Sequence, residues 1–126
     1  FMSVSLLVVE DKDKTLESIC SVIKPLGFEV TVARDGLDGL SKAKQTYFDM
    51  VLLDHKMPVM DGLSLLKNLR DLDAYHRTPL LFMSTQDLVE IEPKALKAGA
   101  TQCLAKPLNE DFLLDTLKSW AVRFVA

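Results

Sequence analysis

Three acidic residues stand where two apolar runs end. Glu10 and Asp11 follow Leu6-Leu7-Val8-Val9, and Asp54 follows Met50-Val51-Leu52-Leu53. Ser84 closes Leu80-Leu81-Phe82-Met83, and Lys106 follows a later run and precedes Pro107. If these runs are strands of one sheet, their tips gather carboxylates, a hydroxyl and an ammonium in one place. Carboxylates about 4 Å apart repel by roughly 4 kcal/mol at an effective dielectric near 20. Unrelieved, this raises pKa values or opens the loops. A hard cation relieves it: Mg2+ prefers about six oxygens, keeps several waters, and takes one or two carboxylates plus a phosphate oxygen. Asp11 and Asp54 suit direct ligation, and Glu10 a contact through water. Too few ligands remain to close a protein cage, and the gap suits a phosphoryl group. Ser84 and Lys106 can hold phosphoryl oxygens as charge develops, and an Asp carboxylate can itself accept a phosphoryl group.

The elements that must position these groups follow a regular rhythm. Short apolar runs predict strands over 5–9, 29–33, 50–54, 80–84 and 101–105; helical patterns fill 14–24, 37–44, 62–70, 92–98 and 109–122. This alternation predicts an α/β fold, a parallel sheet with helices on both faces. The runs at 6–9, 50–53 and 80–83 are unbroken, as parallel strands buried on both faces require. Glu29-Val30-Thr31-Val32 alternates and Thr101-Gln102-Cys103-Leu104 is half apolar, so both read as edges. The pattern fits a five-stranded, doubly wound, flavodoxin-like sheet of order 2-1-3-4-5, whose ligand crevice lies between strands one and three. Glu10, Asp11 and Asp54 belong to those two strands.

Boundary residues agree with this plan. Gly27 marks a helix stop, Asp35 or Asp38 caps the second helix, Asp61 the third and Asn109 the last, and Gly99 ends the fourth. Pro93 conflicts with a fourth helix beginning near Asp87, which places the helix start at Pro93 or loosens its first turn. Leu63, Leu66 and Leu69 read as a core stripe, and Trp120 as cover for the sheet edge.

Composition excludes several classes. The chain has 126 residues, 48% hydrophobic and 26% charged, with a net charge of −3. That is one ordinary globular domain, with no basic surplus to bring it directly to nucleic acid or an anionic membrane. No apolar stretch approaches the roughly 18 residues that span a bilayer. Cys20 and Cys103 make no disulfide framework and read as reduced thiols of a cytoplasmic protein. Cys103 reads as a small buried apolar residue. His55 and His76 have no companions at zinc spacing, and His55 reads as a solvated loop residue. Phe1 before Met2 suggests that residues 1–3 are terminal extras, leaving a domain over 4–124.

Taken together, Glu10-Asp11, Asp54 in Val-Leu-Leu-Asp-His-Lys-Met-Pro-Val-Met-Asp-Gly, Ser84 and Lys106-Pro107 resemble the receiver domain of two-component response regulators, over residues 5 to 122. The Met-Pro-Val-Met-Asp-Gly segment at 57–62 is the specific signal. The resemblance implies that Asp54 accepts a phosphoryl group from a sensor histidine kinase or phosphotransfer protein. It implies Mg2+, with Mn2+ as a substitute, held by Glu10, Asp11, Asp54 and the backbone carbonyl of Lys56. Ser84 and Lys106 would engage the phosphoryl group and remodel the face of helix four, strand five and helix five. That face would meet a downstream protein, a fused output domain or a second copy of the chain. Such a module promotes its own phosphorylation and dephosphorylation and is not a turnover enzyme.

The chain departs from the family pattern at several positions. Cys103 stands where Tyr or Phe is usual, which removes an aromatic rotamer switch. Ser84 replaces Thr, and Thr85 stands where Ala is commonest. Lys56 and Gln86 occupy positions that modulate dephosphorylation in the family. An alternative reading is a pseudo-receiver, binding partners constitutively without phosphorylation. A phosphatase with an aspartate nucleophile is a poorer fit, because its second Asp would fall at position 56, which is Lys. No Gly-x-Gly-x-x-Gly follows any strand, which disfavours a dinucleotide site.

Overall fold

A computed structural model describes residues 4–122. Residues 1–3 and the expected domain limit at 124 lie outside the described residues. The strands are β1 (Ser5–Val9), β2 (Glu29–Ala33), β3 (Met50–Asp54), β4 (Leu80–Ser84) and β5 (Gln102–Ala105), and all pair in parallel in the order β2-β1-β3-β4-β5. The helices are α1 (Asp13–Ile23), α2 (Gly36–Gln45), α3 (Gly62–Arg70), α4 (Leu88–Ala98) and α5 (Glu110–Ala121), with short 3-10 turns at Lys24–Leu26 and Asp73–Tyr75.

Strand composition explains the order. Every residue of β3 and β4 is buried, while β2 opens with two exposed residues and β5 ends on one. Alternate side chains divide two cores, as the two-residue period of a strand requires. Leu7, Val9, Val51, Leu53 and Phe82 face the layer of α2, α3 and α4. Leu6, Val8, Leu52, Leu81 and Met83 face α1 and α5. Trp120 lies over the β5 edge, where its indole Nε1 donates to Gln102 Oε1 at 3.0 Å.

The caps are side-chain acceptors for N–H groups that have no helical partner. Asp35 takes Asp38 N–H at 2.7 Å, Asp61 takes Ser64 N–H at 2.9 Å and Asn109 takes Phe112 N–H at 2.9 Å. Asp38 is therefore not the cap of α2; it pairs with Lys42 one turn on.

One expectation about the helices needs correction. α4 begins at Leu88, five residues before Pro93, because Asp87 caps it through Val89 N–H and Ile91 anchors its first turns in the core. The donor that Pro93 lacks would have met the Val89 carbonyl, on a turn whose Val89 and Glu90 side chains are exposed. Glu90 N–H reaches back only three residues, to Asp87 O, so the first turn is tightened. In α3 the expected Leu66 and Leu69 are buried, Leu63 packs against the core only partly buried, and Gly62 and Leu65 complete the buried face.

Candidate functional site

The register of the inner strands levels their acidic tips. Val9 pairs with Leu53, so Glu10 and Asp54 leave the sheet side by side. Ser84 pairs with Ala105, and Lys106 N–H donates to Ser84 O at 2.9 Å, which holds Lys106 just beyond the strand tips. Its ammonium turns inward over the acids. Lys106 Nζ lies 2.7 Å from Glu10 Oε1 and 3.0 Å from Asp54 Oδ1. Glu10 is 0% exposed and Asp54 3%.

Buried carboxylates so close to one another tend to hold protons. Burial raises the Glu10 pKa, and Asp54 adds to the rise against the pull of Lys106. Burial alone would push Lys106 toward neutrality, but its hydrogen bonds to Glu10 and Asp54 win and raise its pKa. One ammonium against three carboxylates still leaves the crevice short of positive charge.

The donor set fits a divalent cation. Oxygens from Glu10, Asp11 and Asp54 come within 4.8 Å of one another. Among the described residues Asp11 Oδ1, which is buried, has no hydrogen-bond partner, and Lys12 Nζ at 3.8 Å is too far to donate. Such an orphan acceptor is costly unless something else satisfies it. Glu10 is different: Oε1 takes Lys106 and Oε2 takes Asp11 N–H at 3.0 Å. Among the described residues the Lys56 carbonyl accepts no hydrogen bond. Asp11, Asp54 and Lys56 O are thus the groups with acceptor capacity to spare.

Backbone shape in the β3–α3 loop comes from close packing. Gly62 N–H donates to His55 O at 2.7 Å, and a β-carbon at 62 would overlap the Asp54 carbonyl oxygen and stand 2.9 Å from His55 Cα. A β-carbon at Gly36 would likewise overlap Met60 O. Between these contacts Met60 N–H closes on Pro58 O at 2.8 Å around Val59, whose φ is +70°. That is a strained γ-turn for a β-branched residue. Beyond β5, the Lys106–Pro107 peptide is cis.

Ser84 is buried at the tip of β4, but its hydroxyl is engaged elsewhere. Oγ accepts Gln86 N–H at 3.0 Å and lies 3.0 Å from His55 Nδ1. His55 is therefore not a solvated loop residue: it is 8% exposed and packs against Phe82 with ring centroids 5.2 Å apart. Burial lowers its pKa, against the pull of Asp61. Nothing in the local sequence marked this contact, since it joins two strand tips 29 residues apart. The close approach of Gly62 to the Asp54 backbone was not read from the sequence either, although Gly62 ends the Met-Pro-Val-Met-Asp-Gly segment at 57–62. Cys103 is buried on the α4 side of the sheet, and burial pushes its thiol up to about 11.

The response regulator receiver domain family matches residues 6–118. The transcriptional regulatory protein ZraR of Salmonella typhimurium is 36% identical over 115 residues, 91% of this chain; the chain spans only 26% of that protein's length. Among solved structures, the chemotaxis response regulator CheY4 of Vibrio cholerae superposes with a TM-score of 0.88 at 33% identity, covering 94% of this chain and 99% of that one. The receiver domain of the sensor histidine kinase PA1611 of Pseudomonas aeruginosa, with a magnesium ion coordinated in its active site cleft, superposes at 0.85 and 29% identity, covering 94% and 97%. Among the described residues no helix is long and apolar enough to cross a membrane.

Proposed function

Because the chain belongs to the response regulator receiver domain family, and so to two-component signalling rather than to the turnover enzymes, we propose that Asp54 is its phosphoacceptor. The carrying observation is the buried crevice in which Lys106 spans Glu10 and Asp54 while Asp11 Oδ1 has no donor. In the transfer, an Asp54 carboxylate oxygen attacks phosphorus of a phosphohistidine on a sensor kinase or phosphotransfer protein. The P–N bond breaks with its electron pair left on nitrogen, the histidine leaves as neutral imidazole carrying the proton already on its other ring nitrogen, and an acyl phosphate forms on Asp54.

Asp11, Asp54 and the Lys56 carbonyl would hold Mg2+ or Mn2+, with Glu10 contributing through water. Bound there, the cation supplies positive charge to the acceptor and the incoming phosphoryl oxygens. Lys106 then trades its bond to Asp54 for a phosphoryl oxygen, keeping Glu10 as its anchor. Ser84 donates its hydroxyl to another. Both moves pull on the loops after β4 and β5, and charge-assisted contacts of this kind are the strong ones. To turn a 1:99 population into 99:1 they must favour the active state by about 5.5 kcal/mol.

The surface best placed to read the change is the α4–β5–α5 face, where Val89 and Phe112 are exposed and Phe112 lines a hollow with Leu88, Leu104 and Pro107. A downstream protein, a fused output domain or a second copy of the chain would bind there, in the cytoplasm. With Cys103 on β5, the coupling runs through backbone and α4 packing rather than an aromatic swing.

Incubation with Mg2+ and acetyl phosphate tests the reading. Intact mass should show one added phosphoryl group on the wild type and none on Asp54→Asn. Equal labelling of both would remove Asp54 as the acceptor, and labelling of neither would favour a constitutive binding module.

A further inference from the structure

We infer that His55 is a positioning residue for Ser84, a latch that holds the serine proton until Asp54 is phosphorylated. The inference rests on Asp54 as acceptor and follows from counting hydrogen-bond capacity. A serine hydroxyl has one proton and can accept from two donors. Ser84 is 1% exposed, so its proton needs an acceptor close at hand. One of its two neighbours, Gln86 N–H, can only donate. The other, His55 Nδ1 at 3.0 Å, donates or accepts according to its tautomer, and among the described residues it is the one hydrogen-bond partner of this hydroxyl able to accept. On this assignment Ser84 donates to Nδ1, and the ring proton of His55 sits on Nε2.

This assignment has a consequence for signalling. A hydroxyl whose one proton is hydrogen-bonded to His55 cannot donate to a phosphoryl oxygen at the same time. Engagement of the phosphoryl group must break the His55–Ser84 bond. His55 is well held for this role: it follows Asp54 directly, its ring is packed on Phe82, and its carbonyl is fixed by Gly62 N–H. The latch biases the resting state against a fully engaged Ser84 and sets part of the threshold for switching.

The test is a beryllofluoride titration with Mg2+, which mimics the phosphoryl group, on wild type, His55→Leu, His55→Asn and each of these with Ser84→Ala. His55→Leu keeps apolar bulk but offers no acceptor, so beryllofluoride should bind about 2- to 10-fold more tightly, the range of one net hydrogen bond. His55→Asn, whose amide oxygen can replace Nδ1, should return toward wild type. In the Ser84→Ala background the His55→Leu effect should vanish, as coupled neighbours require. Unchanged or weaker binding in His55→Leu, or an effect that survives Ser84→Ala, overturns the latch.

A wild type that ignores beryllofluoride would instead count against Asp54 as acceptor. Histidine ring 15N shifts, read without any phosphoryl mimic, judge the latch separately. Protonated Nε2 with an Nδ1 signal that moves on Ser84→Ala is expected; protonated Nδ1 overturns it.

Discussion

Gly62 lies against the backbone of Asp54 so closely that a β-carbon at position 62 would overlap the Asp54 carbonyl oxygen. The obstacle is main chain at a strand tip, paired with β4, so it cannot turn aside as a side-chain end would. Gly62→Ala should cost about 1–3 kcal/mol, the usual penalty of overpacking, and should also displace Asp54. Thermal unfolding and acetyl phosphate labelling should therefore fail together. Gly27→Ala is the contrast: its φ is +71° with open space around the missing β-carbon. That variant should lose about 1 kcal/mol of stability through backbone strain alone and label normally. Normal labelling of Gly62→Ala would show that the loop can give way.

Arg70 ties the far side of the domain together. Its guanidinium donates to the carbonyls of Gly99, Tyr75 and Thr78 at 2.8, 2.6 and 2.8 Å and to Thr101 Oγ1 at 3.1 Å. Removing it leaves several carbonyls without donors, which predicts a loss of roughly 2–4 kcal/mol in Arg70→Ala. Lys should rescue little, because one ammonium cannot reproduce the planar fork. Urea midpoints measure both. Since these contacts are remote from Asp54, the surviving folded fraction should still take a phosphoryl group.

Much of this architecture was legible because the dominant signals are local. Unbroken apolar runs at β1, β3 and β4 state burial on both faces, and the acid or hydroxyl after each run states where the crevice lies. The misreadings share a different cause. Whether α4 could begin before Pro93 depended on Asp87 and Ile91 outweighing one lost helical bond. Leu65 joined the core because α3 presents positions 62, 65, 66 and 69 to the sheet, an i, i+3, i+4, i+7 face that shares Leu66 and Leu69 with the expected stripe and leaves Leu63 at its margin. His55 is buried by its contacts with Ser84 and Phe82, neither of them a sequence neighbour. Long-range packing of this kind leaves no periodic trace.

The two thiols should differ sharply in reactivity. Cys20 is exposed, whereas Cys103 is buried with its pKa pushed up to about 11. The thiolate is the reactive form, so iodoacetamide at neutral pH should modify Cys20 and spare Cys103 until the protein unfolds. The linkage has a definite sign. Below its unfolded pKa the Cys103 thiol is protonated in both states; as pH rises beyond that value, the unfolded chain releases the proton first and stability falls. Cys103→Ala should flatten that alkaline decline, and rapid labelling of native Cys103 would contradict its burial.

The acidic side tests the crevice itself. Glu10 has a raised pKa, chiefly from burial, so in a window above its ordinary value of 4.5 the folded protein holds a proton that the unfolded chain has released. In the metal-free protein, the stability from that proton is present at low pH and is lost as pH rises through the raised pKa. A divalent cation acts in the opposite sense, since it favours the ionised carboxylates and is displaced by the same proton. Mg2+ should therefore bind more tightly as pH rises through this window, and saturating Mg2+ should offset the loss of stability. Glu10→Gln should remove most of the pH dependence of Mg2+ affinity, while Asp11→Asn should weaken binding at every pH by taking charge from the unpartnered acceptor. Calorimetric Mg2+ titrations at several pH values, paired with unfolding curves with and without the ion, read both effects. If Mg2+ affinity were flat with pH, or unchanged in Asp11→Asn, these carboxylates would not be sharing a cation.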